Sequence, residues 1–178
     1  MPGSLMLYKV EVARHVRSVA DLRKTCDVGC GSGIWADLLG HGLMDAVEVF
    51  SHYAPEFGLE KKYKALLLKD IRQLDFKEWH AWEYVIMGDV LEHLPISTAQ
   101  AIVKRRTAWR KKLLVAVPYL APQGPSHNNA HEAHIQDDLT PDVIRERYPE
   151  LSLLIGNDVY GYWVNYPAAQ LVPDEVAA

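Results

Sequence analysis

Short apolar segments alternate along the chain with segments whose apolar residues recur at helical spacing. The short segments have the length and composition of buried strands, and several of them are followed by glycine or acidic residues. The predicted strands cover residues 25–29, 46–50, 65–68, 84–87, 113–117, 151–155 and 159–166. This alternation is typical of an α/β fold in which parallel strands are joined by crossover helices.

The helices between these strands are predicted from apolar spacing and from capping residues. Residues 8–19 carry apolar side chains at helical spacing, and residues 34–39 continue as a helix after the first strand. Ser97 is a candidate N-cap for the basic helix that precedes the fifth strand. Thr140 followed by Pro141 predicts the start of a further helix, because proline favours the first helical position.

Two segments do not fit this alternation. Residues 118–139 combine prolines, histidines and asparagines without clear periodicity, so we predict a long functional loop and interpret it as a lid. Residues 167–178 are rich in proline and alanine, and we expect this tail to fray. A length of 178 residues corresponds to one domain, which we predict over residues 1–166.

Composition and charge narrow the functional classes. Apolar residues make up 49% of the chain and charged residues 24%, as in folded globular proteins. The net charge of −4 provides no broad positive field for a phosphate backbone, so nucleic acid is disfavoured as a partner. The basic run at residues 104–112 is interpreted as a solvated helix face. The sequence does not determine the oligomeric state.

The cellular setting is predicted from two absences in the sequence. There is no run of about 18 apolar residues and no signal-peptide pattern, so we expect a cytoplasmic protein without a membrane partner. The two cysteines, Cys26 and Cys30, are too few for a disulfide framework or a structural zinc site. We expect both to be reduced thiols.

The strongest local signal is the glycine-rich run at residues 26–33, where the first strand meets a helix. Glycine allows both a tight turn and close approach of the backbone to a ligand, so we predict a cradle for a nucleoside cofactor. Gly31, Gly33 and Ala36, with the acidic Glu48 further on, also satisfy the relaxed dinucleotide pattern. A NAD-dependent oxidoreductase therefore stays an alternative. The cradle residues are Gly29, Cys30, Gly31 and Gly33.

Four acidic residues stand at or near the ends of the first four strands. We expect Asp27 to accept hydrogen bonds from loop amides or from an ammonium group of the cofactor. Glu48 is positioned to accept both hydroxyls of a ribose, Asp70 the exocyclic amine of adenine, and Asp89 is expected to face the reacting end. Since the carboxyl ends of parallel strands line one crevice, these residues are predicted to converge on one pocket.

In these motifs the chain resembles the class I S-adenosylmethionine-dependent methyltransferases. Residues 27–33 match the glycine-rich first motif, Glu48 the second, Asp70 with Ile71 the third, and residues 88–94 the fourth. The resemblance implies a doubly wound, mostly parallel seven-stranded sheet with a final antiparallel strand and helices on both faces. It also implies that S-adenosylmethionine (SAM) lies across the first strands, with its methionine part at residues 29–33.

The resemblance assigns Glu48 to the ribose and Asp70 with Ile71 to the border of the adenine. The residues before Thr25 are fewer than the family usually carries, so from the resemblance we expect any acceptor-recognising cap there to be small. The fourth motif differs from that of nucleic-acid amino-methylating enzymes. We therefore expect a methyltransferase acting on a small-molecule acceptor. A non-catalytic cofactor-binding module is the third alternative.

Histidines supply the candidate catalytic residues. His93 either satisfies backbone carbonyls at the end of a helix or acts in catalysis. His134 either acts as a general base, helps to hold the lid, or is ordinary loop polarity. The spacing of His131 and His134 differs from that of a zincin, so no metal site is predicted. The polar cluster around them comprises His127, His131, Glu132, His134, Asp137 and Asp138.

Overall fold

A computed structural model describes residues 6–126 and 128–172 of the chain. Within these residues the structure has seven strands and seven α-helices. The strands are β1 (Thr25–Val28), β2 (Asp45–Glu48), β3 (Ala65–Leu68), β4 (Tyr84–Gly88), β5 (Lys112–Pro118), β6 (Ser152–Gly156) and β7 (Tyr160–Val164). The helices are α1 (Lys9–Val19), α2 (Ile34–Leu39), α3 (Tyr53–Phe57), α4 (Leu59–Lys62), α5 (Phe76–Ala81), α6 (Ile96–Ala108) and α7 (Pro141–Arg147).

The strands form one sheet in the order β3-β2-β1-β4-β5-β7-β6. The first five strands pair in parallel, whereas β7 runs antiparallel to both β5 and β6. The predicted fold class is confirmed, including the final antiparallel strand. The predicted strand positions are also confirmed, with small shifts at the strand ends.

Helices cover both faces of the sheet, and each face has its own apolar core. On one face, Trp79, Val103 and Tyr148 from α5, α6 and the end of α7 pack against the strands. On the other face, Val16 and Trp35 belong to the core that α1 and α2 form with the sheet. Because β4 and β5 are covered on both sides, they are apolar along most of their length rather than alternating.

The connections create a crevice between β1 and β4. These two strands are neighbours, but the chain passes through β2 and β3 before it returns to β4. At such a switch point the connections that follow the two strands lead to opposite faces of the sheet and leave a crevice between them. The glycine-rich loop after β1 and the turn after β4 therefore border this crevice from its two sides.

Of the two helix starts predicted from capping residues, one is wrong and one is confirmed. Ser97 is not an N-cap, because α6 begins earlier, with Pro95 as its N-cap. The carbonyl of Pro95 accepts hydrogen bonds from the amides of Thr98 and Ala99 at 2.9 and 3.0 Å. The proline ring fixes φ at a value compatible with this helix start, so a serine side chain is not needed. The predicted cap by Thr140 is confirmed.

The basic run at residues 104–112 is not entirely a solvated face, because Arg106 is fully buried. Its Nη1 donates to the carbonyls of Trp79 and Trp82 at 3.0 Å, and its Nη2 donates to that of Lys112 at 2.9 Å. Arg106 therefore joins the C-terminal half of α6 to α5 and to the start of β5. The guanidinium of Arg106 therefore has a structural role in the core, whereas the sequence pattern predicted a solvent-exposed side chain.

The long segment after β5 is fixed to the turn after β4. The amide of Leu120 donates to the carbonyl of Leu139 at 2.9 Å, which closes the base of the loop. The buried side chain of Gln136 donates to the carbonyls of Leu91 and Leu94 at 2.9 and 3.0 Å. Apart from residue 127, which lies outside the described residues, the loop contains one short 3-10 turn at Ala130–Glu132.

The start of the C-terminal tail packs against the sheet. Leu171 donates its amide to the carbonyl of Leu154 at 2.8 Å, and residues 173–178 of the tail lie outside the described residues.

Both cysteines, Cys26 and Cys30, are buried and free. Among the described residues, no helix has both the length and the apolar character needed to cross a bilayer.

Candidate functional site

A cavity of about 500 Å³ opens at the carboxyl ends of β1, β2, β3 and β4. Its volume lies in the range of pockets that hold small molecules and cofactors, which is roughly 300–1,000 Å³. The structure brings most of the residues selected from the sequence together in its wall. The selected residues that line it are Gly29, Cys30, Gly31, Glu48, Asp70, Ile71, Asp89, His93 and His134. Asp27 and Gly33 do not line it.

The glycine-rich loop takes a shape that L-residues rarely adopt. Gly29 has φ of +67°, and a Cβ atom there would lie 2.4 Å from Cγ2 of Val90. The amide of Gly29 donates to the carbonyl of Val47 at 2.8 Å, which holds the loop against β2. Gly33 is instead the N-cap of α2 with φ of +80°, and a Cβ atom there would lie 2.8 Å from Cδ of Lys62.

Glu48 connects the end of β2 to this loop. Its Oε2 accepts a hydrogen bond from the amide of Gly31 at 2.9 Å, and its Oε1 accepts one from the amide of Phe50 at 2.9 Å. Burial raises the pKa of the carboxyl, and these two amides oppose that rise. Oε2 also accepts a weak hydrogen bond from the thiol of Cys30 at 4.0 Å, which a hydroxyl group of a ligand can replace. Since each carboxylate oxygen has two lone pairs, Glu48 can then accept two hydroxyl groups from a ligand in the cavity.

Asp27 is buried in β1 and does not line the cavity, and its expected contact with a ligand stays a prediction. Its Oδ2 accepts a hydrogen bond of 2.5 Å from the hydroxyl of Tyr63, and in the described part of the chain its Oδ1 has no hydrogen-bond partner. Burial raises the pKa of Asp27 to about 7, against the opposing effects of Tyr63 and Lys9. The expected donation from loop amides is replaced by this contact with Tyr63.

Asp70 is held by the residue two positions after it. The guanidinium of Arg72 donates from Nε at 2.9 Å and from Nη2 at 2.5 Å, so both carboxylate oxygens are engaged. The hydrogen bonds from Arg72 hold the pKa of Asp70 below its usual value. Ile71 is buried and supplies an apolar wall to the cavity beside Asp70.

Asp89 follows β4 in a left-handed conformation, with φ of +55°. Its Oδ1 accepts a hydrogen bond of 2.7 Å from the hydroxyl of Tyr160, and its amide donates to the carbonyl of Ala116 at 2.9 Å. Its Oδ2 is buried and has no hydrogen-bond partner among the described residues. Asp89 therefore presents an acceptor in the cavity wall that a donor group of a ligand can use.

His93 and His134 lie next to each other, with ring centroids 4.7 Å apart. Nδ1 of His93 is 3.0 Å from the carbonyl oxygen of Ala133, and Nδ1 of His134 is hydrogen-bonded to that of Ala121. Burial lowers the pKa of His93. His93 thus contacts a backbone carbonyl of the loop after β5 and lines the cavity, and both of its predicted roles stay predictions.

Several wall residues were not selected from the sequence. Trp35 follows the glycine loop and lies so close to β4 that a Cβ atom at Gly88 would be 2.7 Å from its Nε1. The hydroxyl of Tyr53 donates to Oε1 of Glu132 at 2.9 Å, which links α3 to the loop after β5. Glu92 is fully buried in the turn after β4. Glu92 lies within the fourth motif, directly before His93. An acidic residue next to a histidine was the sequence signal that could have identified Glu92 as a site residue.

No known protein family and no curated protein matches the sequence. Solved structures do match the fold. The magnesium protoporphyrin IX methyltransferase of Synechocystis PCC 6803, solved with bound SAH, superposes with a TM-score of 0.55 at 16% identity, over 86% of this chain and 79% of that chain. The N-methyltransferase NodS of Bradyrhizobium japonicum WM9 gives 0.52 at 14% identity, over 90% and 97%.

A third similar structure is the small RNA methyltransferase HEN1. It superposes with a TM-score of 0.62 at 17% identity, over 87% of this chain but 25% of the HEN1 chain. The similarities span proteins with different acceptors in their names. At these identities they show that the chain has the fold of class I methyltransferases.

Proposed function

We propose that this chain binds S-adenosylmethionine in the cavity and transfers its methyl group to a small-molecule acceptor. The observation that carries the proposal is the convergence of Gly31, Glu48, Asp70 and Asp89, from four successive strand ends, on one cavity. A nucleoside with an amino-acid substituent needs ribose acceptors, an adenine border and an acceptor for its ammonium group. The residues of this wall offer each of these.

The polar atoms of the wall fit this cofactor. Beyond its bonds to the amides of Gly31 and Phe50, Glu48 has one further lone pair on each oxygen for the ribose hydroxyls, and only the weak thiol donor of Cys30 competes for the one on Oε2. The buried Oδ2 of Asp89 suits an ammonium group, because a buried acceptor without a partner is costly. Asp70 can accept a hydrogen bond from the adenine amine only while its carboxylate also binds Arg72. Its carboxylate is therefore less available to the cofactor than those of Glu48 and Asp89.

Bound S-adenosylmethionine would supply a methyl group on a positively charged sulfur. The acceptor atom forms a bond to the methyl carbon as the carbon–sulfur bond breaks, and a proton carried by the acceptor leaves to solvent. The protein contributes alignment of the reactants and exclusion of water. We assign the second task to residues 118–139, which carry Asn129, Glu132 and His134 into the cavity wall.

A small-molecule acceptor is favoured over nucleic acid by the position of the basic run. Lys112 begins β5, so it lies at the sheet edge opposite the carboxyl ends that form the cavity. No residue of the run 104–112 lines this cavity. The basic side chains of Lys69 and Arg72 do line it, but each is paired with a carboxylate. The wall therefore offers little positive field to a phosphate backbone.

Calorimetric titration of the purified protein with S-adenosylmethionine, S-adenosylhomocysteine (SAH) and NAD tests the proposal. We expect micromolar binding of the first two and none of NAD. Glu48→Gln should weaken that binding about tenfold or more, since an amide retains one acceptor oxygen and loses the charge. Glu83→Gln is the control, because Glu83 pairs with Lys111 and neither residue lines the cavity.

Binding of NAD alone would replace the proposal with the oxidoreductase alternative. Transfer itself is tested by incubating the protein with labelled methyl donor and a small-molecule extract. Label in an acceptor is the expected result. Tight binding of the donor without label in any acceptor would support the non-catalytic module instead.

A further inference from the structure

Three side chains with metal-binding groups meet at one side of the cavity. Glu92 and His93 come from the turn after β4, and His134 comes from the loop after β5. One ligand atom from each lies within 4.8 Å of the other two. Ligand atoms at about 2.0–2.2 Å from a zinc ion in tetrahedral geometry are roughly 3.4 Å apart, so small side-chain movements would complete a site.

The hydrogen bonds of both histidines select the nitrogen that a metal needs. Nδ1 of each ring faces a backbone carbonyl oxygen, that of Ala133 for His93 and that of Ala121 for His134. A carbonyl oxygen only accepts, so each Nδ1 carries a proton and each Nε2 keeps its lone pair. Histidines that bind metals in proteins are commonly oriented by such a bond from the other nitrogen.

The carboxylate of Glu92 lacks the partners that a buried acid normally has. Glu92 is 0% exposed, and in the described part of the chain neither of its carboxylate oxygens has a hydrogen-bond partner. The carboxylates of Asp89 and Glu132 lie near enough to repel a negative charge on Glu92. A cation between these groups would supply the missing interaction and offset their repulsion.

The backbone holds the two halves of the group together. The carbonyl of Glu92 accepts hydrogen bonds from the amides of Ile135 and Gln136 at 2.8 and 2.9 Å. The amide of His134 donates to the carbonyl of Gln123 at 2.9 Å. The loop that carries His134 is therefore fixed against the turn that carries Glu92 and His93, as a preformed site requires.

We propose that Glu92, His93 and His134 bind a divalent transition-metal ion at the cavity wall, and that an oxygen atom of the methyl acceptor occupies an open coordination position. Two imidazoles and one carboxylate suit zinc, cobalt, manganese or iron(II) better than magnesium or calcium. Three protein ligands leave positions open toward the cavity. This assignment of the acceptor rests on the proposed function and deepens it, whereas metal binding does not depend on it.

The acceptor class that follows is a hydroxyl compound. A hydroxyl group bound to the ion loses its proton to water more readily, because the positive charge stabilises the oxygen anion. The oxygen then bonds to the methyl carbon while the bond between that carbon and sulfur breaks. The sulfonium becomes a neutral thioether, so the charges balance.

Cobalt(II) titration of the metal-free protein, followed by visible absorption, tests the site. We expect one equivalent of cobalt to give absorption bands of a low-symmetry site, zinc to displace it, and magnesium at the same concentration not to. Glu92→Gln and His134→Gln should each weaken cobalt binding tenfold or more. His41→Gln, at an exposed histidine paired with Asp37, is the control and should bind as the parent protein does.

The outcomes separate the two proposals. Absence of stoichiometric cobalt binding, or binding that both variants leave unchanged while their thermal unfolding stays cooperative, overturns the metal site. Titration of SAH into the same samples tests cofactor binding on its own, so failure of one does not imply failure of the other. Acetohydroxamic acid, a bidentate oxygen ligand, should alter the cobalt spectrum, and an unchanged spectrum overturns the open position.

Discussion

The buried carboxylate of Asp27 accepts a hydrogen bond of 2.5 Å from the hydroxyl of Tyr63, which follows α4. Neither residue lines the cavity. The first acidic residue of the glycine-rich motif therefore joins β1 to the tyrosine that lies between α4 and β3. This relationship makes the stability of the loop sensitive to the protonation of Asp27.

The first prediction concerns pH. Burial raises the pKa of Asp27 from 3.8 to about 7, so between these values the folded state holds a proton that the unfolded state has released. The stability that this proton provides is complete below pH 3.8 and is lost as the pH rises through about 7. Asp27→Asn removes the titration and keeps an oxygen for Tyr63.

Urea unfolding at pH 5 and pH 8 measures this effect. The variant should gain roughly 2–3 kcal/mol relative to the parent protein between the two values. Asp142→Asn is the control, because the side chain of Asp142 is 94% exposed. A difference between Asp27→Asn and the parent that does not change with pH would contradict the raised pKa.

The second prediction concerns the glycine loop. Gly29→Ala places a Cβ atom 2.4 Å from Val90 at φ of +67°, whereas Gly42→Ala at φ of +71° meets nothing within 4 Å. Both variants carry the cost of the left-handed conformation, about 1–2 kcal/mol. Only Gly29→Ala also carries the cost of overpacking, about 1–3 kcal/mol.

Denaturant unfolding of both variants separates these contributions. Gly29→Ala should lose more stability than Gly42→Ala, and adding Val90→Ala should recover part of that extra loss. Equal losses in the two variants would show that Gly29 is required for its backbone conformation alone.

The third prediction concerns the buried arginine of α6. Arg106→Lys keeps a positive charge but cannot donate to the carbonyls of Trp79, Trp82 and Lys112 together. We expect a loss of about 2–4 kcal/mol in the free energy of unfolding, because buried carbonyls lose their donors. Arg105→Lys, the same change at the exposed neighbour, should stay within about 0.5 kcal/mol. Similar losses from both substitutions would contradict the structural role of Arg106.

The sequence predicted the sheet well because its strands are short, apolar and bounded by glycine or acidic residues. The helix start at Thr140 was predicted for a similar reason, since its cap is a local signal. Helix α5 was missed although its capping box, Asp75 with Glu78, is visible in the sequence. With only six residues, α5 has too few turns to show helical periodicity.

Part of the site was predicted because its residues lie at the ends of predictable strands. Glu48 ends β2 and Asp89 follows β4, and the edge at which parallel strands end is fixed by topology. The hydrogen bond of Asp27 with Tyr63 joins residues 36 positions apart, which no local pattern connects. The meeting of Glu92 with His134 depends on how the loop after β5 folds back, and the missing partners of Glu92 are visible only in the structure.

The structure of the protein in complex with SAH is the most direct test of the central claim, that the cofactor lies across the ends of β1 to β4. We predict that the ribose hydroxyls lie within about 3.2 Å of the carboxylate oxygens of Glu48, with the adenine beside Ile71. A complex in which Glu48 contacts only the amides of Gly31 and Phe50, while SAH lies outside the cavity, would contradict the account.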